Sequence, residues 1–285
     1  MAVRVAMINK DHLHRAKRVV DASGADRCAE DGPGPGVGAL DCLARVSSQG
    51  NGRVGLVLQG RRRVEARLVS LSGTRTVDGS SDGEGAQVRD GATLVFDPSI
   101  RADAARGMGS LLVGNARVGL LAQGTGVALR LSGAQVNANT GPGVFIAGGA
   151  RAEVVGYSEL RRNGALGLGV TRTGSIAAVQ CNGIAETRMA MLATSSGTLS
   201  MFGDGLAIDQ GAGVEVTGNV VSGNARFGAV FQRVAGTFMG NTGAGNLHGQ
   251  GVYDSSGLAG GDVQQIMGTT PPPRDAPTFA ADMRM

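Results

Sequence analysis

Tryptophan is absent from this chain, and its 285 residues include only seven phenylalanines and two tyrosines. That scarcity excludes a bulky globular interior; the core must be thin and built from Val, Leu and Ala. Lysine is nearly missing as well, since Lys10 and Lys17 are the only two, so the formal charge of +4 rests on arginine. An arginine bias spread along the chain reads as compositional, and the one dense run, Arg61-Arg62-Arg63, reads as a solvated face. Nucleic-acid binding would want a larger basic patch interleaved with aromatics, so no such partner is expected. No apolar stretch approaches the ~18 residues that a membrane-spanning helix needs. The three cysteines, Cys28, Cys42 and Cys181, have no C-x-x-C spacing, which argues against structural zinc. Cys28 and Cys42 flank a Gly/Pro-rich stretch and would either close a short disulfide loop in an exported protein or remain free thiols.

What the chain has in abundance is glycine, 49 residues of it, between short aliphatic runs. VGLVLQG, ATLVF, SLLVG, VGLLAQG and GVFIAGG alternate with Gly, Asn, Asp and Ser and carry no helical periodicity, so they read as strands of three to six residues joined by tight turns. Residues 1–52 break from this pattern. There, Asp11 to Val20 could form a short helix capped by Asn9 or Asp11, ahead of a Gly/Pro loop, and such a segment would cover the open end of a stack of strands. Residues 53–260 form the repetitive body, and the Pro-containing stretch 261–285 reads as a disordered tail.

The body repeats at a measurable step. TGNVVSGNARFGAVFQ at 217–232 returns as MGNTGAGNLHGQGVYD at 239–254, setting Asn219 over Asn241 and Asn224 over Asn246. Upstream, an asparagine followed four residues later by glycine and then by a strand recurs at Asn115, Asn139 and Asn163, and this frame projects onto Glu186 and then Asp209. In the same frame Val144, Ile146, Leu168, Val170, Met191, Ala193, Val214 and Val216 point inward, while Phe145, Gly169, Leu192 and Glu215 point out. The short step from Asp209 to Asn224 leaves one coil irregular or the register shifted. A period of 22–24 residues, with coils too thin to bury their own apolar side, is the mark of a parallel solenoid.

The GN-x-x-x-GN repeats at 218–224 and 240–246 resemble those of right-handed parallel β-helix proteins of the pectate-lyase-like superfamily, over roughly residues 53–258. The expected fold is therefore all-β: a right-handed parallel β-helix of about nine coils, on the order of 40 Å long, with a short N-terminal cap. The resemblance implies an extracellular or cell-surface setting. The first twenty residues show neither an apolar core nor a small-residue cleavage site, so no signal peptide is expected in this chain; a misplaced start or a cytoplasmic protein would reconcile the two.

Asn115, Asn139, Asn163, Asn219, Asn224, Asn241 and Asn246 read as a structural ladder at a turn, each amide bonding to its neighbours above and below. Glu186 and Asp209 are the chemical departure from it. Two carboxylates on adjacent coils would raise one pKa or attract a cation, giving an acid/base pair or a calcium site, with Arg188 or Arg162 near enough in sequence to hold an acidic sugar. A solvated turn is the plainer reading of both. A second array, Thr171, Thr194 and Thr217 with Thr173, Ser196 and Asn219 two residues on, would make a hydroxyl face for carbohydrate, or in outline the face of an ice-binding solenoid. Ordinary strand propensity explains the same threonines. His12 and His14 lack a third ligand, and His248 lacks a nucleophile.

Two functional readings follow. The first is a noncatalytic scaffold presenting a regular face to polysaccharide, a cell-surface component or a protein partner. The second, implied by the resemblance, is a polysaccharide lyase or glycoside hydrolase, calcium-dependent in one version, with Glu186 and Asp209 in acid or metal roles and Arg188 as base. Short turns leave few loops to wall a cleft, which favours the first.

Overall fold

The computed structural model describes residues 40–44, 46–76, 83–96, 109–172, 174–193, 199–210, 212–249, 251–254 and 258–259. Among these the chain is all-β, with no helix, and winds through three sheets whose rungs pair in parallel. One coil shows the pattern: Ala128–Ser132 lies in the first sheet, Gln135–Asn137 in the second and Val144–Ala147 in the third. Its successors Arg151–Val155, Glu159–Arg161 and Ala165–Thr171 pair with it strand by strand. The result is a parallel β-helix. The first coil already contributes Leu40–Ala44 and Ser47–Gln49, inside the segment that composition sets apart as a cap. The helix expected at 11–20, His12, His14, the Cys28–Cys42 pairing and the 261–285 tail lie outside the described residues.

Two columns of asparagine explain the GN-x-x-x-GN pattern, because the three-residue strands of the second sheet are bounded by a tight turn at each end. At one turn Asn115, Asn139 and Asn163 stack, with Asn115 Nδ2 donating to Asn139 Oδ1 at 2.9 Å and Asn139 Nδ2 to Asn163 Oδ1 at 2.9 Å. Asn224 and Asn246 continue this column. At the other turn Asn182 Nδ2 donates to Asn219 Oδ1, and Asn219 Nδ2 to Asn241 Oδ1. The residue before each rung is left-handed: Gly218, Gly223, Gly240 and Gly245 all have φ between +63° and +72°. Glycine adopts that region without strain, hence the Gly-Asn dipeptides.

The glycine four residues after each Asn has a different cause. Gly119, Gly143 and Gly167 stand where the wall of one coil rests on the next, as do Gly85 and Gly205 on coils where no asparagine precedes them by four. A Cβ on Gly119 would lie 2.6 Å from the Gly143 carbonyl oxygen and 2.7 Å from Asn139 Nδ2. Gly119→Ala is therefore expected to cost about 2–3 kcal/mol through overpacking against backbone. Gly114→Ala, at φ +67° with open space around it, carries only the left-handed penalty of about 1 kcal/mol. Urea unfolding of the two variants checks the order.

The core inside the coil is aliphatic, with Phe96, Phe231 and Phe238 as its large members. Val144 and Ile146 stack on Leu168 and Val170 and are fully buried, as the alternation requires. Val214 and Val216 also point inward, but in the first sheet, with Glu215 outward. Met191 and Leu192 reverse the expected order: Met191 is 51% exposed and Leu192 is buried. They belong to an inserted hairpin rather than to a coil. Ala190–Ala193 pairs antiparallel with the first part of Leu199–Asp209, and the chain regains the third sheet where Gly203 pairs with Ala165. This insertion puts 37 residues between Thr187 and Asn224, which accounts for the irregular coil.

Candidate functional site

The structure separates the residues that the sequence frame put together. The rung after Asn163 is Thr187, whose backbone N–H donates to Asn224 Oδ1 at 3.1 Å; Glu186 sits one residue earlier, in the left-handed position at φ +56° that glycine fills on other coils. The projected ladder through Glu186 and Asp209 is thus corrected by one residue at Glu186 and by a whole sheet at Asp209. Asp209 closes the long strand of the third sheet, in register with Gln232, and is buried. The columns of Glu186 and Asp209 lie at opposite ends of that sheet, on the order of 20 Å apart at 3.3 Å per residue.

Glu186 is held by Arg161 at 2.5 Å and Arg162 at 2.6 Å. The Arg162 and Arg161 hydrogen bonds hold its carboxyl below the ordinary carboxylate value, an arrangement that keeps it ionised and occupied. Arg188 points elsewhere, donating to the Asn139 carbonyl at 3.2 Å. A shared acid/base or calcium pair at Glu186 and Asp209 is not assembled, and among the described residues no group of three or more His, Cys, Asp or Glu is placed to hold a metal. The threonine array is divided too. Thr171 is buried at the end of a third-sheet strand and Thr217 lies in the first sheet, while Thr173, Thr194 and Ser196 lie outside the described residues.

Two buried ion pairs appear that the sequence frame does not show. Arg226 reaches back one coil to Asp204, Nε to Oδ1 at 2.8 Å and Nη2 to Oδ2 at 2.5 Å, and its guanidinium stacks over Phe202 at 5.0 Å and Phe227 at 5.6 Å. Burial pushes the Asp204 carboxyl up, against the lowering by the Arg226 fork and the Phe227 N–H. Arg117 likewise reaches back one coil to Glu84, with Nη1 donating to Oε1 at 2.9 Å. The signal was present: N-A-R-V-G at 115–119 and N-A-R-F-G at 224–228 each follow an acid-glycine pair, Glu84-Gly85 and Asp204-Gly205, one coil earlier. The same device on two distant coils is a brace between turns. A reactive centre would have no reason to recur.

What remains distinctive is the hairpin. Its inner side lays Ala190, Leu192 and Phe202 over Val118, Leu121, Phe145, Leu166 and Ala207 on the outside of the third sheet, forming a second apolar cluster separate from the core. Phe145 and Gly169, expected to face solvent, are covered by this arrangement, and a Cβ on Gly169 would meet the Phe145 ring at 2.7 Å. Its outer side leaves Met189, Met191, Leu199 and Met201 each 44–52% exposed. Exposed Arg188 adjoins Met189 and places positive charge at the base of this patch, while Arg226, already paired with Asp204, donates Nη1 to the Met201 carbonyl.

Comparison with known proteins is sparse. No family model and no curated protein matches the chain. Among solved structures it is similar to pectate lyase Pel9A, at 10% identity and a TM-score of 0.40 over 86% of this chain and 80% of that one. A second similarity, to HetL, a pentapeptide repeat protein involved in heterocyst differentiation regulation from the cyanobacterium Nostoc sp. strain PCC 7120, has 10% identity and a TM-score of 0.16 over 76% and 90% of the two chains.

Proposed function

We propose that this protein is a noncatalytic β-helical scaffold that displays its hairpin to a protein partner. The observation that carries the reading is the hairpin's outer side: four large apolar side chains stand exposed on an antiparallel insertion, in a fold whose other described turns are tight. A contiguous apolar patch of this kind on a surface marks interaction, and methionine adapts its shape to a partner. The exposed Arg188 beside the patch specifies the chemistry of that partner, an apolar segment carrying an acidic side chain. Glu186, saturated by two guanidiniums, supports the noncatalytic side of the reading, since a carboxylate so held is a poor proton donor at neutral pH.

A photo-crosslinking residue at position 191, used in extract of the source cells, would identify the partner, which is then titrated in purified form. Met191→Glu/Met201→Glu should weaken that binding at least about tenfold, some 1.4 kcal/mol. Both positions are half exposed, so stability should move by no more than about 0.5 kcal/mol. Unchanged affinity, or cross-linking only to a second copy of this chain, overturns the reading. The polysaccharide-enzyme alternative is tested in parallel. Acidic polysaccharides should remain intact, and thermal stability should be the same with calcium or with EDTA; cleavage abolished by Glu186→Gln/Asp209→Asn would overturn the noncatalytic assignment.

A further inference from the structure

A second surface, independent of the hairpin, collects charge that the sequence leaves scattered. The chain turns from the third sheet to the first at Gly60, with φ +82°, and the Arg62 N–H closes the turn onto the Gly60 carbonyl at 2.7 Å. This tight corner presents Arg61, Arg62 and Arg63 together at the wall of a cleft of about 650 Å³, completed by Asp90, Gly91 and Thr93 from the next coil and by Thr125 and Gly126 from the one after. The Thr93 N–H bonds the Arg62 carbonyl at 2.7 Å and docks the second coil on the first. Its floor carries two glycines, Gly91 and Gly126, with φ +80° and +76°, one coil apart, so that a Cβ on Gly126 would touch the Gly91 Cα at 3.5 Å. The stem of Arg61 runs alongside, its Cγ 3.6 Å from where a Gly91 Cβ would stand.

The charge balance is positive. Arg63 and Arg67 share the single carboxylate of Glu65, at 3.4 and 3.5 Å, and Arg89, bonded to Gln59, stands 3.8 Å from Asp90. Among the described residues that line the cleft itself, three are arginines and one, Asp90, is a carboxylate. Three consecutive guanidiniums repel one another, and a ligand of several negative charges would relieve that repulsion. Guanidinium forks match tetrahedral oxyanions in paired N–H···O bonds, which an ammonium does not. Thr93 and Thr125 also line the cleft and bring hydroxyl groups to it, Thr93 in register with Ala128, three residues beyond Thr125. Among the described residues no aromatic side chain lines the cleft to stack a base.

We propose that this corner is a binding site for a compact polyanion, a ligand carrying two or more closely spaced phosphate or sulfate groups. Inorganic tripolyphosphate and a sulfated hexasaccharide are the probes, titrated calorimetrically into the full chain at low and physiological salt; a tighter response to one or the other tells which source of oxyanion the site prefers. Saturable one-to-one binding of at least one probe is expected, weakening as salt rises. Arg61→Ala/Arg62→Ala should weaken it at least tenfold, and Arg61→Lys/Arg62→Lys, which keeps the charge but loses the fork, by several-fold. Arg172→Ala/Arg233→Ala, exposed on later coils that contribute nothing to the cleft, should leave it unchanged. If the alanine pair unfolds the corner, the lysine pair still decides. Absence of binding at millimolar probe, equal loss in the remote pair, full retention in the lysine pair, or tighter binding of a single-stranded oligonucleotide than of either probe overturns the proposal.

Discussion

Asn139→Ala is expected to lower the stability of this protein by about 4 kcal/mol, as several buried groups losing partners at about 1–3 kcal/mol each would dictate. Asn139 is fully buried. Its Oδ1 accepts from the Asn115 backbone N–H at 3.0 Å and from Asn115 Nδ2 at 2.9 Å, and its Nδ2 donates to Asn163 Oδ1 at 2.9 Å and to the Leu112 carbonyl at 3.1 Å. Truncation strands a donor above, an acceptor below and a carbonyl within the coil, and the wall around them admits no water. Asn241 supplies the comparison. It is the last of its column among the described residues, half exposed, with Oδ1 accepting from Asn219 in the same way. Water can take over its bonds, so Asn241→Ala should cost about 1 kcal/mol. Denaturant unfolding measures both, and equal effects would show that burial of the ladder is not what makes it strong.

Arg226→Leu should be comparably severe, about 3–5 kcal/mol, because it leaves Asp204 buried without its counter-charge. The loss should depend on pH, and the sign follows from the direction of the shift. Burial already pushes the Asp204 carboxyl above its ordinary value of 3.8 in the folded chain, and removing the guanidinium pushes it further. A carboxyl with a raised folded pKa supports the fold fully below its unfolded pKa, and that support is lost as pH rises through the folded value. The gap in melting temperature between wild type and Arg226→Leu should therefore be smallest near pH 4 and widen toward neutral pH. Asp204→Leu/Arg226→Leu, with no charge left to bury, should recover most of the loss. A gap independent of pH would mean that the lost stacking on Phe202 and Phe227, rather than the unpaired buried charge of Asp204, dominates.

The parallel β-helix was legible because its cause is periodic. Each rung needs a left-handed residue, then an amide that can bond up and down, then a glycine where coils touch, and Gly114-Asn115 with Gly119 or Gly223-Asn224 with Gly228 write this out in one dimension. The frame failed at one coil. The step of 24 from Asn115 through Asn163 leads to Thr187, the true rung, whereas a step of 23 lands on Glu186; with threonine in place of the ladder asparagine no residue marks the difference, and the next step runs through a hairpin whose Met191 and Leu192 look like one more strand. Alternating apolar residues read alike whether they line a coil interior or fold back across its outer wall. Ser158 was missed for a related reason: its backbone N–H donates to Asn182 Oδ1 in the second ladder, a rung that no asparagine marks.

The sequence by itself determined the thin aliphatic core, the repeat and the stacking amides, since these depend on residues a fixed distance apart along the chain. Only the tertiary structure decided where charge goes. Asp204 and Arg226 are 22 residues apart and Glu84 and Arg117 are 33 apart, yet each pair meets on neighbouring coils. Arg61, Thr93 and Thr125 meet in one cleft across two insertions of unequal length. Coulombic pairing and concavity depend on distance through space, and every insertion changes which residues a coil brings together without disturbing the ladder that holds the coils in register.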